Sequence, residues 1–431
     1  MPTKLPLYRR PAPLLFAAAV AVVMALSSTG IAASLVTNQA AARLGLERAW
    51  FAQVRVNPAQ HKVVQWLLDK DQIFALTSAG TIQAFDAETG ETVWTTEVGT
   101  GVAPAVGIAV NSNSVAMLDA GRLYLVDRAD GHRLWSRRID GAASAAPALG
   151  SNHVFVALLN GLVEGYRLDD LTAFVWQYQS VGHIFQSPTI TDNVMSWPTD
   201  RGLLYVGQAN GPSVLFRIET NEEIVVAPAS QSPYLYVASL DGYLYSFHES
   251  TGNEQWRFAT GYAIASPPAV IGEKVFVASE GPSLHAIDTL TGQLLWRVDG
   301  VTQFVALGAK HTYGVDRYGT LLVLDNESGD IAGRLATGAG RAALVNDQSD
   351  RIFLINDRGL VQCLHEIGAD EPTWHRATKA DEAPATSDEA ATGSEGSGTK
   401  EPAPESNQAE DPATSPFEAE SEPEDSGAFE F

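Results

Sequence analysis

The chain offers few residues whose type and spacing could carry chemistry. Gly338–Ala343 reads GAGRAA and matches the GxGxxA fingerprint, in which glycines let a backbone turn approach a pyrophosphate. That fingerprint needs a strand before it and a helix after it, and no helical pattern follows here. Equivalent stretches elsewhere read GTGVAPAV and TGYAIASPPAV, which makes the segment a link between repeated units. Cys363 is the single cysteine, so no internal disulfide can form. His365 and Glu366 lie beside it without metal-ligand spacing, and the thiol reads as a small buried group in a strand. The nine histidines are scattered, with no pair at ligand spacing. There is no Gly-x-Ser-x-Gly elbow and no Walker loop. Asp119/Arg122 and Asp316/Arg317 fall in hairpin turns and read as solvated surface. The expectation is a protein without catalytic residues, cofactor or metal.

The elements that position these residues are announced by tryptophan. Trp94 closes DAETGETVW, Trp135 closes DRADGHRLW, Trp176 closes LDDLTAFVW, Trp256 closes HESTGNEQW and Trp296 closes DTLTGQLLW. The gaps are 41, 41, 80 and 40 residues, a period that marks a repeat architecture. Each unit carries two β-rich runs joined by a Gly-containing turn, a hairpin signal. A further strand follows the TG turn and ends on the Trp. The Pro/Ala/Val-rich stretch opening the next unit, such as SPPAVIG, supplies another. Eight units can be aligned, with strand cores IFALTSAGTIQAFD, VAMLDAGRLYLVD, VFVALLNGLVEGY, LLYVGQANGPSVLFRI, LYVASLDGYLYSFH, VFVASEGPSLHAID, TYGVDRYGTLLVLD and IFLINDRGLVQCLH. Four strands in each of eight units predict an all-β fold, an eight-bladed β-propeller, over residues 45–376.

Within the phrase, Asp and Thr can hydrogen-bond the local backbone while Gly takes positive φ, so the third and fourth strands join in a tight turn. Trp94, Trp135, Trp176, Trp256 and Trp296 are expected to clamp neighbouring blades, each N–H finding a backbone acceptor. The fourth unit shows ETNEEIV and the seventh NESGDIAG where the Trp phrase should stand, so these blades are expected to be weakly clamped. LERAWFAQVRV near the N-terminus looks like an outer strand that pairs with the last unit and closes the ring. Trp374 also sits near the repeat spacing and offers a second candidate for closure.

The net charge of −23 is uneven. Residues 1–36 hold Lys4, Arg9 and Arg10 and no acid; residues 377–431 hold fifteen acids against Lys379 and Lys400. A surface this acidic repels nucleic-acid phosphates and anionic lipid, so nucleic acid is not an expected partner. Three bases ahead of the apolar run Leu14–Leu26, with Ala32-Ala33-Ser34 after it, read as a signal peptide or an N-terminal signal anchor. Either places the body outside the cytoplasm of a bacterial cell, in the envelope, and a retained leader makes it membrane-associated. No cysteine follows the run, which excludes lipid attachment there. The acidic tail, 377–431, is too poor in apolar residues to fold alone. Its aromatic handles are Phe417, Phe429 and Phe431.

The Trp phrases resemble the PQQ-like repeat, over about 330 residues. That resemblance implies one of two branches. The quinoprotein dehydrogenases would bring a vicinal Cys-Cys disulfide, a Ca²⁺ site and a catalytic Asp, and the disulfide is impossible with one cysteine. The non-enzymatic branch, typified by BamB, is a scaffold of outer-membrane β-barrel assembly. It implies a protein partner, such as a β-barrel assembly component, although an acidic tail of this length is not part of that pattern. A sensor that binds a small molecule in the propeller funnel is the alternative. In such a ring the turns between second and third strands and the links between blades share one face. His183, Phe185, Gln186, Tyr262, Gln303, Phe304, Arg317, Arg341 and Arg358 are therefore expected to ring one mouth, rich in the residue types of binding hot spots.

Overall fold

A computed structural model describes residues 35–375, apart from positions 100, 102, 192, 193, 212 and 339–341. Of the expected leader, 1–36, all but Leu35 and Val36 lies outside the described residues, and so does the acidic tail, 377–431.

The described residues form eight four-stranded antiparallel sheets. Blade 1 consists of Val63–Asp69, Gln72–Thr77, Thr81–Asp86 and Thr92–Glu97, paired in chain order. Blades 2 to 7 repeat this order, ending with the outer strand Ile331–Leu335 of blade 7. First strands of successive blades touch, as Val63–Asp69 does Ala105–Val110, so they surround the ring axis. Middle strands are buried on both faces, since a neighbouring blade covers each side. Alternation of exposed and covered side chains appears in outer strands such as Glu254–Ala259 instead. The apolar clusters follow the same logic. One joins Phe74, Leu76 and Ile82 of blade 1 to Val115 and Met117 of blade 2.

Blade 8 is closed by the N-terminus. Leu46–Gln53 pairs antiparallel with Leu360–Glu366, outside Ile352–Ile355 and Ala342–Ala343. Trp374 makes only an isolated bridge to Ser349, so it does not close the ring. Ring closure by an antiparallel strand removes the free sheet edge that a linear array would leave.

The tight turns explain the TG phrase. Asp86 Oδ1 accepts from the backbone N–H of Glu88 and Thr89 and from the Thr89 hydroxyl, at 2.8–3.0 Å. Gly90 then takes φ +71°, a region closed to residues with a Cβ except at a cost. Asp288, Thr291 and Gly292 repeat the arrangement in blade 6.

One unit is organised differently from its sequence alignment. LLYVGQANGPSVLFRI supplies the third and fourth strands of blade 4, Leu203–Gln208 and Val214–Glu219, rather than the second and third. The second strand is Val194–Pro198. The outer strand therefore carries Phe216 opposite Val206, the register at which Trp94 faces Ala84 and Trp256 faces Ser246. ETNEEIV is the link that follows, and blade 4 is clamped by Phe216.

Cys363 is fully buried opposite Phe353 and Trp50, and burial pushes its thiol well above the ordinary range. The native protein should therefore be inert to a thiol-titrating disulfide reagent and release one equivalent after denaturation. Stoichiometric reaction before unfolding would contradict this burial.

Candidate functional site

The blade links and the second-to-third-strand turns lie on one face. Asp200 N–H donates to the His183 carbonyl, Leu240 to Glu223 and Glu280 to Ala263, at 2.9–3.0 Å, each pairing a turn with the link before its blade. On this face Phe185 is 55 % exposed, Tyr262 57 % and Tyr318 76 %. Tyr318 neighbours Arg317, whose guanidinium sits 5.5 Å from the ring centroid, and was not singled out by sequence. Gln186 is half-buried, and Arg317 and Arg358 are exposed. Gln303 donates to the Ala343 carbonyl at 3.0 Å and so serves the fold. Arg341 lies outside the described residues.

Phe304 is not at the mouth. It is 2 % exposed and stacks on Phe276 at 4.6 Å between ring centroids. In blade 7 the innermost strand, Gln303–Leu307, begins almost at once after Gly300, so Phe304 has already entered the sheet and points into the core.

A cleft of about 570 Å³ opens between blades 3 and 4, lined by Asn160, Gln179, Val181, His183, Arg201 and Glu219 among others. A smaller recess beside Leu159 shares Asn160 and His183 with it. Leu159, Val181 and Phe185 give this region an exposed apolar rim. Its geometry is fixed from below. Asp200 accepts from the His183 backbone N–H and pairs with its Nδ1, both at 2.8 Å. Burial raises the Asp200 carboxyl, but the hydrogen bonds from His183 outweigh it and leave the group below the usual carboxylate range. The Tyr205 hydroxyl accepts from Val181 N–H at 2.9 Å. Asp200 and Tyr205 thus position the rim, and neither stands in a pattern that spacing alone could single out.

The tryptophans face a different task. The indole N–H of Trp94 donates to the Arg128 carbonyl, Trp135 to Leu168, Trp256 to Thr289 and Trp296 to Asn326, at 2.7–3.2 Å. Each acceptor stands in the third-to-fourth-strand turn of the next blade. Trp50 of the closing strand does the same with Ala87. A Cβ on Gly90, Gly131, Gly292 or Gly329 would overlap the facing ring, so these glycines also admit the clamp; Gly252 plays that part for Phe216. Trp176 packs instead against Tyr178 and Trp197.

A family model described as "Outer membrane protein assembly factor BamB" matches residues 78–225 and 217–399, most of the blades described above. The chain belongs to this BamB family. A BamB from Burkholderia pseudomallei is 25 % identical over 389 residues, covering 82 % of this chain and 98 % of that protein. A Shewanella oneidensis BamB is 23 % identical over 278 residues, covering 59 % and 64 % respectively. Among solved structures, BamB from Moraxella catarrhalis matches at 18 % identity with a TM-score of 0.60, covering 74 % of this chain and 97 % of that one. The computationally designed Ika8 protein matches at 16 % identity with a TM-score of 0.59, covering 73 % and 98 %. At these identities the two structures speak for the fold alone. Membership in the BamB family fits a repeat whose tryptophans are consumed by blade contacts.

Electrostatics inside blade 6 yield a pH expectation. His285, buried in Ser283–Asp288 with its ring edge-on to Phe258, is pushed down to about 4 by burial and, second, by Arg297. Its folded pKa lies below the unfolded value of 6.5, so acid favours the unfolded chain, which binds the proton more readily. The contribution is intact above pH 6.5 and is lost as pH falls towards 4, on the order of 3 kcal/mol. His153 and His375 are shifted in the same direction, burial being the main cause. Replacing His285 by Gln, the residue that blade 1 carries in this register as Gln83, should flatten Tm against pH between 6.5 and 4. An unchanged slope would show that His285 is not responsible.

Proposed function

We propose that this protein is an exported, non-enzymatic scaffold of the bacterial envelope that binds protein partners at its loop mouth. In this reading it acts in outer-membrane protein assembly, as the names of its relatives state for them. Of the expected leader, 1–36, the part up to residue 34 serves as signal or anchor, since Val36 is already buried in the core; 45–376 serve as the propeller and 377–431 as a solvated acidic tail. Among the described residues no helix is long and apolar enough to cross a membrane.

The observation that carries the reading is the exposure of Phe185, Tyr262 and Tyr318 on one face, beside Arg317 and Arg358. Aromatics and arginine are the residues a protein interface uses as anchors, and burying three rings in water-free contact supplies most of a working affinity. The cleft between blades 3 and 4 has the volume of a small-ligand site, but its polar lining of Asn160, Gln179, Arg201 and Glu219 favours a polypeptide over an apolar ligand. An extended segment crossing the rim at Leu159, Val181 and Phe185 suits it best.

Site-specific photo-crosslinking in the native envelope tests the proposal. A crosslinker at position 185 or 262 should capture one protein in near-stoichiometric yield, a β-barrel assembly component. A crosslinker at Leu290, 68 % exposed in the blade 6 turn on the opposite face, should not. Capture from position 290 with none from the mouth would refute the assignment of the face.

A further inference from the structure

The clamp between blades 7 and 8 departs from all the others. The outer strand of blade 7 carries Gly333 opposite Val323, the register at which its neighbours carry Trp or Phe. A physical reason lies in the closure. Six other clamps, Trp50, Trp94, Trp135, Phe216, Trp256 and Trp296, rest on the turn joining third and fourth strands of the following blade, while Trp176 packs on Trp197 of that blade. Blade 8 has no such turn, because its fourth strand comes from the other end of the chain. An indole at 333 would lack its turn carbonyl and turn glycine.

The space is filled from the N-terminus. A Cβ on Gly333 would overlap Leu44 Cδ2, so Leu44 occupies the place of the ring. The segment behind it is part of the core. Val36 and Ala41 are 2 % and 0 % exposed and pack in one cluster with Leu335 of blade 7 and Ile352 and Leu364 of blade 8. Val36 N–H donates to Gln362 Oε1 at 3.1 Å, and Arg48 donates to the Val36 carbonyl. The short helix α1, Asn38–Ala42, is capped by Thr37, whose hydroxyl accepts from Ala40 N–H. Ile367 N–H then closes onto the Gly45 carbonyl at 2.8 Å, replacing the missing covalent turn.

We propose that Leu35–Leu44 is an in-cis wedge that replaces the seventh blade's aromatic clamp, and that this sets the limit of leader processing. Two small-residue signals compete in the sequence, Ala32-Ala33-Ser34 and Ala40-Ala41-Ala42, and both suit a peptidase that reads small side chains. Hydrolysis after Ala42 would add water across the Ala42–Arg43 bond, leaving a carboxylate on Ala42 and an ammonium on Arg43. It would discard Val36 and Ala41 from the core and place that charge one residue from Leu44. Any cut in the working protein therefore lies upstream of Leu35.

Two measurements test this. Intact mass and N-terminal peptide analysis of full-length protein from its own envelope should find a start at or before Leu35; a start at Arg43 overturns the proposal. The wedge itself is read by compensation. Leu44→Ala should lower Tm by about 3–8 °C, and Gly333→Leu alone should also lower it through overlap with Leu44. Together they should restore most of the loss, since the new leucine fills the vacated space from blade 7. A double variant no more stable than the worse single one overturns the wedge.

Discussion

Trp94→Ala should cost about 3–5 kcal/mol, the largest single-residue effect expected in this protein. Trp94 is 7 % exposed, lies over Gly131 and tilts against Phe74 at 6.0 Å. Its N–H donates to the Arg128 carbonyl at 2.7 Å. Arg128 in turn reaches back across the blade boundary to Asp69 and Asp71 and covers Phe74. Removing the indole therefore opens a cavity and also loosens the turn that carries the buried guanidinium of a partly exposed ion pair. The control is Trp94→Phe. It keeps a ring over Gly131 and gives up one hydrogen bond, so about 1 kcal/mol is expected. Blade 4 already works this way, with Phe216 over Gly252. Equilibrium unfolding followed by circular dichroism measures both. A loss below about 1 kcal/mol for the alanine variant would mean that blades 1 and 2 are held without the clamp.

How much was legible follows from which residues the repeat constrains. The Trp period pointed to eight four-stranded blades, because a fixed spacing reports a repeated unit whatever its loops do; it left LERAWFAQVRV and Trp374 as rival closures, and the pairing of Leu46–Gln53 with Leu360–Glu366 selects the first. The same ruler lands on Phe216, 40 residues from both Trp176 and Trp256, where a phenyl ring replaces the indole that marks the period. The Asn210-Gly211 turn added to the error, since a glycine-containing turn between two β-rich runs looks the same at either hairpin of a blade. Gly333 read as a weakness because its filler, Leu44, lies nearly three hundred residues away in sequence. The mouth was only partly legible. Phe185, Tyr262, Arg317 and Arg358 were placed by topology, whereas Phe304 depended on where a strand begins, a matter of one or two residues. Tyr318 shows the same sensitivity from the other side: it stands next to Arg317 in the Asp316–Gly319 turn and is the most exposed aromatic of the face.

Replacing Phe185, Tyr262 and Tyr318 together by Ser should weaken partner binding at least ~100-fold while leaving the fold intact. The two halves of that expectation rest on different observations. Stability is spared because all three rings are more than half exposed and none belongs to a blade cluster. Affinity falls because anchors of this kind each carry roughly 1–2 kcal/mol or more when they are buried by a partner. Arg317→Glu and Arg358→Glu should act differently. As exposed charges on a rim, they should change the salt dependence and association rate more than the dissociation rate. Titration of the captured partner against each variant, with Tm as the check on folding, separates the effects. Unchanged affinity in the triple variant at unchanged Tm would remove the mouth from consideration and turn attention to the opposite face, where Phe174 and Leu290 are exposed. The tryptophans and turn glycines are committed to holding blades, so residues of the loop face can be exchanged without cost to the ring.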